Sequence, residues 1–274
     1  MPPYIAPEAG FKVGFWGLPT STLDWCEENY AWLHYVAEFW NTLSNLAMIL
    51  PGLMGVWFCV KSKLELRYTL CFALLTCVGL GSSLFHGSLL YGMQLLDELP
   101  MLVLSAQILF PLYEMGVAPG VRTCRTYIVS LALLAYTSFV SVIYIFINDP
   151  TFHEVAYGVM VLAICVQTFR CLRSYNSWKY LYFGLTSFAL YLLAFILWNI
   201  DNMMCPHLRL LRKDVPLLAY GITQFHAWWH LFAGLGTYFQ ILLSCRIRLE
   251  HLKRPCALQF FAGIPYLKVI EKND

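Results

Sequence analysis

The stretch Gln224–His230 reads QFHAWWH and opens the last long apolar run of the chain, Leu231–Leu243. His226 and His230 are four residues apart, so on an α-helix their imidazoles lie on one face, one turn from each other. Two histidines at this spacing are able to share a metal ion. Polar side chains at the mouth of an apolar helix are costly in lipid and usually serve a function. The pair therefore predicts a metal site that needs a third ligand from elsewhere in the chain.

The composition places this chain in a membrane. Of its 274 residues, 59% are hydrophobic and 12% are charged, whereas soluble domains carry about 25% charged residues. A net charge of +2 without a long basic run gives no indication of nucleic-acid binding. The first 38 residues contain Asp24, Glu27, Glu28 and Glu38 and lack a continuous apolar segment, so no cleavable signal peptide is predicted.

Seven apolar runs have roughly the 20 residues that a helix needs to cross a bilayer. They cover residues 40–60, 67–86, 97–113, 126–147, 155–172, 180–199 and 219–244. The sequence therefore predicts an all-α membrane protein, a seven-transmembrane helix bundle with its termini on opposite sides. We divide the chain into an N-terminal lumenal segment at 1–39, the bundle at 40–245 and a cytosolic C-terminal tail at 246–274.

Positive charges decide the orientation of these spans, because cytosolic loops are enriched in Lys and Arg. Of the 18 Lys and Arg residues, all but four fall on the side of the C-terminus. The four on the side of the N-terminus are Lys12, Arg209, Arg212 and Lys213. The N-terminus is therefore predicted to be lumenal or extracellular, and the C-terminus cytosolic.

This topology brings three separate polar sites to the lumenal end of the bundle. The second span ends there at His86, the third begins there at Asp97, and the seventh begins there at His226. Ser82 lies one turn before His86 on the same helical face. Sites that are far apart in the sequence therefore share one membrane depth.

The histidines also have a plainer interpretation. His86 alone is compatible with a histidine at the membrane interface. His226 and His230 are compatible with an aromatic interfacial belt that includes Trp228 and Trp229. The spacing of the pair favours the metal site over the belt.

Together, His86, His226 and His230 form a three-histidine set with an open fourth position, which is the pattern of a catalytic zinc site. Zinc held by neutral imidazoles lowers the pKa of its water to about 7 and so supplies hydroxide. Asp97 is placed to carry the proton to a leaving amine, and Ser82 to donate to an oxyanion. Their alternatives are an acid favoured by the dipole at a helix start and a hydroxyl bonded to its own backbone. The predicted chemistry is hydrolysis of an amide or ester within the bilayer.

The chain resembles the alkaline ceramidases over nearly its whole length. The strings that carry the resemblance are TSTLDWCEENY at Thr20–Tyr30, AEFWNTLSN at Ala37–Asn45, MQLLDELP at Met93–Pro100, LWNIDN at Leu197–Asn202 and TQFHAWWH at Thr223–His230. The resemblance implies a seven-span intramembrane zinc hydrolase that cleaves the N-acyl amide of ceramide, dihydroceramide or phytoceramide to a sphingoid base and a free fatty acid. Matching motif positions place zinc on His86, His226 and His230, the catalytic carboxylate on Asp97 and the assisting serine on Ser82. The resemblance also implies endoplasmic reticulum and Golgi membranes.

The resemblance further implies an activating calcium ion in the N-terminal segment. Its ligands would be Asp24, the backbone carbonyl of Trp25, Glu27, Asn29 and Glu38. Oxygen ligands within one short loop suit a hard cation, although the spacing is not that of an EF-hand. From the residues alone, a solvated acidic loop or a capping box is the plainer interpretation. We expect Glu38 to couple this loop to the helix bundle.

The ten cysteines include no CxxC pair, so a cysteine zinc site is not predicted. Only Cys26 and Cys205 fall in predicted lumenal loops. Because the lumen is oxidising, a disulfide between them is expected, and it would tie the calcium loop to the loop after the sixth span. Asp201 and Asn202 keep two interpretations: they bond to the rim of the site, or they only end the helix.

The main alternative function is a seven-span lipid-sensing receptor of the adiponectin and progestin receptor type, with a structural zinc site. The resemblance places those receptors in the same superfamily. A transporter is a weaker alternative, because the sequence lacks repeated broken helices in its two halves. The predicted partners are a ceramide-type substrate and membrane lipids, with no obligate protein partner.

Overall fold

The computed structural model describes residues 13–270, apart from the side chains of 217–219. Its helices are α1 (Phe39–Ser44), α2 (Leu46–Lys61), α3 (Leu66–Ser88), α4 (Tyr91–Tyr113), α5 (Cys124–Ile147), α6 (Pro150–Ser174), α7 (Leu181–Met203), α8 (Cys205–Arg212), α9 (Leu217–Ile222) and α10 (Phe225–His251). A 3₁₀ turn at Trp178–Tyr180 precedes α7, and strands β1 (Cys256–Phe261) and β2 (Ile264–Val269) follow α10. The predicted terminal segments 1–39 and 246–274 extend beyond the described residues, at 1–12 and 271–274.

Six helical segments of the described range are long and apolar enough to cross a membrane. They are Phe39–Lys61, Leu66–Ser88, Tyr91–Tyr113, Cys124–Ile147, Pro150–Ser174 and Trp178–Met203, and they overlap the first six predicted spans. α10 has 27 residues, or about 40 Å of helix, but polar side chains such as His226, His230 and Gln240 interrupt its apolar run. It is not among the six, so the count of seven spans and the orientation of the termini stay predictions.

α4 begins six residues earlier than its predicted span. The helix starts at Tyr91, directly after a tight turn in which Leu89 has a left-handed backbone with φ 55°. Asp97 therefore lies well inside α4, nearly two turns from its first residue. The alternative that Asp97 is an acid at a helix N-terminus is wrong, because the polar residues before it belong to the same helix.

The predicted span 219–244 is divided in the structure. α9 ends at Ile222, and α10 starts at Phe225 after a break at Thr223 and Gln224. α10 then continues to His251, beyond the predicted start of the tail at 246. His226 and His230 consequently lie in the first two turns of α10.

A two-stranded antiparallel hairpin follows α10, which the all-α prediction did not include. β1 and β2 pair from Cys256 with Val269 to Phe261 with Ile264. Ala262 and Gly263 form the connecting turn, and both have positive φ angles, of 48° and 81°. Two residues of this conformation are the usual connection of a tight hairpin. The protein is therefore mostly helical, with one small sheet.

The helices pack around α3 and α10. α3 lies against both α2 and α4, and α10 packs mainly against α7 and also against α2. Gly81 allows the close approach of α3 to α4, since a Cβ there would lie 2.0 Å from the carbonyl oxygen of Leu96. Buried aromatic side chains such as Phe72 and Tyr238 fill the core between α3 and α10. This packing places the end of α3 beside the start of α10.

Candidate metal centre

The structure brings His86, His226 and His230 together. One ring nitrogen from each lies within 4.8 Å of those of the other two. The ring centroids are 5.1 Å apart for His86 and His226, 4.8 Å for His86 and His230, and 4.6 Å for His226 and His230. All three side chains are buried. The last turn of α3 and the first turns of α10 therefore build the cluster that the sequence predicts.

Hydrogen bonds to the rings determine which nitrogens are left for a metal. Nδ1 of His86 lies 2.5 Å from Oε2 of Glu38, and Nδ1 of His230 lies 2.8 Å from the hydroxyl of Ser44. Nε2 of His86 and Nδ1 of His226 are buried and have no hydrogen-bond partner among the described residues. A buried polar atom without a partner is costly, and a metal ion removes that cost. The cluster therefore fits a zinc ion with nitrogen ligands.

His226 is held from two sides. The indole of Trp25 stacks on its ring at 3.9 Å between centroids. Asp201, at the end of α7, accepts a hydrogen bond from the backbone N–H of His226 and another from that of Cys26, each at 3.3 Å. Of the two interpretations left open for Asp201, the structure favours the contact with the site. Asn202 makes no side-chain hydrogen bond within the described range.

Ser82 and Asp97 lie next to this cluster. The hydroxyl of Ser82 is 3.4 Å from Nε2 of His230, and Ser82 lies one turn before His86 on the same face of α3. The Ser82 hydroxyl also lies near the carboxyl group of Asp97. Ser82 and Asp97 are neighbours because α3 and α4 approach each other closely at Gly81. The atoms nearest to a Cβ added to Gly81 belong to Leu96 and Asp97.

The predicted calcium ligands form an acidic cluster around the start of α1. Glu27 accepts the backbone N–H groups of Trp40 and Asn41, at 2.8 and 2.9 Å. Glu38 accepts from the backbone N–H of Trp25 and from the side-chain amide of Asn41, both at 3.1 Å. Glu27 therefore satisfies two N–H groups at the start of α1, but this is a contact across the loop and not the capping box of a local helix, since residues 24–29 are not helical.

Asp24 and Asn29 complete this cluster. The Asn29 amide donates to Asp24 at 3.0 Å, while the amide oxygen of Asn29 is buried without a described partner. Burial and repulsion by Glu38 raise the pKa of Asp24 to about 7 and that of Glu27 to about 8. Complete burial raises the pKa of Glu38 to about 8, and Asp201 contributes to that rise. Buried carboxylates that repel one another, with a free oxygen beside them, fit a hard cation such as calcium.

Cys26 and Cys205 are joined by a disulfide, with their Cα atoms 5.3 Å apart, which is the pairing that the sequence predicts. Two arginines of α8 reinforce this link. Arg212 donates to the carbonyl of Cys26 at 2.7 Å, and Arg209 donates to the same carbonyl at 3.2 Å. Arg209 also reaches the carbonyl of Trp25 at 3.4 Å. α8 therefore holds the loop that contains Trp25 and Cys26 against the start of α10.

Sequence reasoning missed two partners of the histidines. Ser44, which bonds His230, lies within the matched string AEFWNTLSN but has no distinctive spacing. The sequence predicts Glu38 as a calcium ligand and gives no indication of its contact with His86. A hydrogen bond between residues 48 positions apart leaves no local pattern in the sequence.

Known proteins match this chain over nearly its full length. The ceramidase family model matches residues 17–268. The chain is 42% identical to alkaline ceramidase 3 of Mus musculus over 263 residues, which are 95% of this chain and 96% of the mouse protein. The chain belongs to the ceramidase family. It is also 32% identical to alkaline ceramidase YPC1 of Saccharomyces cerevisiae, over 90% of this chain and 83% of the yeast protein.

Membership in the ceramidase family confirms the resemblance found in the sequence and the predicted class of enzyme, a ceramide hydrolase. The receptor alternative is not favoured, because these matches are to ceramidases. The metals, the roles of the individual site residues and the organelle are not tested by these similarities, and they stay predictions.

Proposed function

We propose that this ceramidase-family protein is an intramembrane zinc-dependent amidohydrolase activated by calcium. It would cleave the N-acyl amide of ceramide, dihydroceramide or phytoceramide to a sphingoid base and a free fatty acid. The observation that carries the proposal is the convergence of three buried histidines from α3 and α10, with Ser82 and Asp97 beside them. The similarity to alkaline ceramidase 3 of the mouse supports the choice of substrate.

His86, His226 and His230 would hold the zinc ion, which when bound supplies a water with a pKa of about 7. Asp97 would take a proton from the attacking water and return it to the nitrogen of the leaving amine. Ser82 would donate a hydrogen bond to the carbonyl oxygen as negative charge develops on it. The lipid around the bundle limits the access of bulk water to this site, which strengthens these interactions.

The acidic cluster of Asp24, Glu27, Asn29 and Glu38, with the carbonyl of Trp25, would hold the calcium ion. Glu38 belongs to this cluster and also binds Nδ1 of His86. Calcium at the cluster would therefore fix the carboxylate that orients a zinc ligand. This link gives calcium a physical route to the catalytic site.

We propose α10 as the seventh span, with the metal centre at the lumenal end of the bundle and the C-terminus in the cytosol. The Lys and Arg distribution supports this orientation. The disulfide between Cys26 and Cys205 lies at the same end as the histidines, which suits an oxidising lumen. Membranes of the endoplasmic reticulum and the Golgi apparatus are the proposed location.

Detergent-purified protein tests this function directly. Metal analysis should give one zinc per chain, and a ceramide panel should show release of sphingoid base. His230→Ala should lose both zinc and activity, whereas Asp97→Asn should keep zinc and lose about 10²–10⁴-fold in kcat. His251→Ala, at the other end of α10, is the matched control and should keep both. Zinc binding without hydrolysis of any ceramide would favour the receptor alternative, and full activity of His230→Ala would refute the proposed site.

A further inference from the structure

A buried polar network surrounds Glu98, the neighbour of Asp97 on α4. Tyr144 of α5 donates to Oε2 of Glu98 at 2.5 Å, and the side-chain amide of Gln94 donates to the same oxygen at 3.0 Å. Nε2 of His153, on α6, donates to the backbone carbonyl of Glu98 at 2.9 Å. Each of these four residues is at most 6% exposed. The proposed chemistry uses none of them, although buried polar groups in membrane spans are usually functional.

The network connects four parts of the chain. Gln94 and Glu98 lie on α4, Tyr144 on α5 and His153 on α6. Gln94 also binds Thr22 in the loop before α1, accepting from its backbone N–H and donating to its hydroxyl, each at 2.8 Å. The segment of α4 that carries Asp97 is therefore held by two helices and by the loop that leads to the acidic cluster.

Helix α4 lacks one of its backbone hydrogen bonds close to Asp97, so contacts with other parts of the chain have to hold the helix in place there. Pro100 lies inside the helix and has no N–H, which leaves the carbonyl of Leu96 without its usual helical partner. That carbonyl faces Gly81 of α3. A proline one turn from a functional side chain allows the helix to bend there. The contacts around Glu98 oppose such bending directly beside Asp97.

We propose that Glu98 and Tyr144 are positioning residues that set the rotation and depth of α4 and so aim the carboxyl group of Asp97. The inference rests on the proposed role of Asp97. Glu98 acts through Asp97 and does not touch the substrate. A displacement of a catalytic group by about 1 Å costs on the order of 10²-fold in rate, so a loosened network lowers kcat and leaves KM nearly unchanged.

Tyr144→Phe tests this role, because it removes one hydroxyl and keeps the ring. Tyr136→Phe is the matched control. Tyr136 also lies on α5, and its hydroxyl donates to the carbonyl of Ala156 on α6 at 2.9 Å, but among the described residues it makes no hydrogen bond to α4. Tyr144→Phe loses two interhelical hydrogen bonds to α4, one to Glu98 and one from Gln94, and Tyr136→Phe loses one to α6. Only Tyr144→Phe should lower kcat on a ceramide, by about tenfold or more, with KM within about twofold of the parent.

Glu98→Gln and Glu98→Ala extend the test. Glutamine keeps a carbonyl oxygen for Tyr144 and Gln94, so it should retain at least several-fold more kcat than alanine. Asp97→Asn with Tyr144→Phe should be no slower than Asp97→Asn alone, since there is no carboxylate left to aim. Equal kcat in Tyr144→Phe and Tyr136→Phe would overturn the positioning role only. Full activity of Asp97→Asn would overturn the proposed function itself.

The tip of the β1–β2 hairpin exposes two phenylalanine side chains, and this observation is independent of the network around Glu98. Phe260 and Phe261 are 66% and 54% exposed. The ring centroids of Phe261 and Trp57, a residue of α2, are 6.2 Å apart. The ammonium group of Lys61 lies over the Trp57 ring, 4.8 Å from its centroid. Tyr266 stacks on Phe58 of α2 at 3.7 Å, which fixes the hairpin against the helix.

We infer that this tip inserts into the lipid of the same bilayer at the end of α2. Leu50, Leu53 and Trp57 form an exposed apolar stripe along α2, and the tip continues that stripe. Trp57 with Lys61 has the composition of a membrane–water interface, where aromatic rings and lysine ammonium groups gather. The phenylalanines beside them therefore lie at the depth where acyl chains begin.

Photo-crosslinking in phosphatidylcholine nanodiscs tests the contact. Benzoylphenylalanine at Phe261 should give lipid adducts by mass spectrometry, several-fold more than the same group at Lys268, an exposed residue of β2 away from the tip. Equal lipid adduction at both positions would overturn the inference. So would a crosslink from Phe261 to a second copy of the chain in place of lipid.

Discussion

Glu38→Gln should weaken zinc and calcium binding together, because Glu38 contacts both proposed sets of ligands. Its two oxygens accept from three N–H donors: the backbone of Trp25, the side-chain amide of Asn41, and Nδ1 of His86 at 2.5 Å. Glutamine offers one acceptor oxygen and one NH2 group. Whichever way the amide turns, its NH2 group opposes at least one of these donors.

The size of the effect follows from these contacts. Leaving one buried donor unpaired costs about 1–3 kcal/mol. Loss of the carboxylate behind a histidine ligand lowers metal affinity by about 10–100-fold, which corresponds to about 1.4–2.7 kcal/mol. Calcium would lose one of its carboxylates as well. Glu38→Gly removes all three hydrogen bonds and should lower activity and calcium stimulation further.

Competition with a zinc chelator, and thermal shift against calcium, measure the two affinities on the same purified sample. Glu65→Gln is the matched control, because Glu65 is also a hydrogen-bonded carboxylate and binds Arg248 at 2.7 and 2.9 Å, away from the metal centre. It should lower Tm without changing either affinity. Zinc affinity of Glu38→Gln within twofold of the parent would refute the assigned role of the carboxylate.

Three further predictions use the same structure. The pKa values of Asp24 and Glu27 are raised to about 7 and about 8, so the folded protein holds protons that the unfolded chain releases near pH 4. The stability of the calcium-free protein therefore falls as the pH rises to about 8. Calcium should therefore raise Tm more at pH 9 than at pH 6, and a smaller gain at pH 9 would contradict this. Cys205→Ser should lower calcium affinity and Tm through the loss of its bond to Cys26, whereas unchanged calcium titrations would contradict the coupling. Gly81→Ala, with its Cβ 2.0 Å from a carbonyl, should destabilise the fold by about 1–3 kcal/mol and lower kcat, as measured by thermal shift and ceramide assay.

The sequence predicted those parts of the fold that leave a regular pattern of residues along a helix. Apolar runs located six membrane-length helices, and a spacing of four placed His226 and His230 on one face. Boundaries were less accurate where polar residues begin a span. The predicted third span begins at Asp97, whereas α4 starts at Tyr91, because the less apolar residues 91–96 belong to the same helix. The hairpin was missed because its strands are short and follow a basic segment.

Contacts across the bundle could not be predicted from periodicity. The same argument that brought His86 and Asp97 to one membrane depth gave no information on which side chain lies behind each of them. Ser44, Glu38 and Tyr144 meet their partners only because α1, α3, α4, α5 and α10 pack in one particular arrangement.

The residues found only in the structure therefore have a common role. Helical spacing identifies the groups that would touch a metal or a substrate, since those groups must share a face or a depth. The side chains that orient them are under no such constraint and come from whichever element packs behind them. Glu38 orients His86 from the loop before α1, and Asp201 holds the start of α10 from the end of α7. The precision of this site consequently depends on helix packing as much as on the motifs that define it.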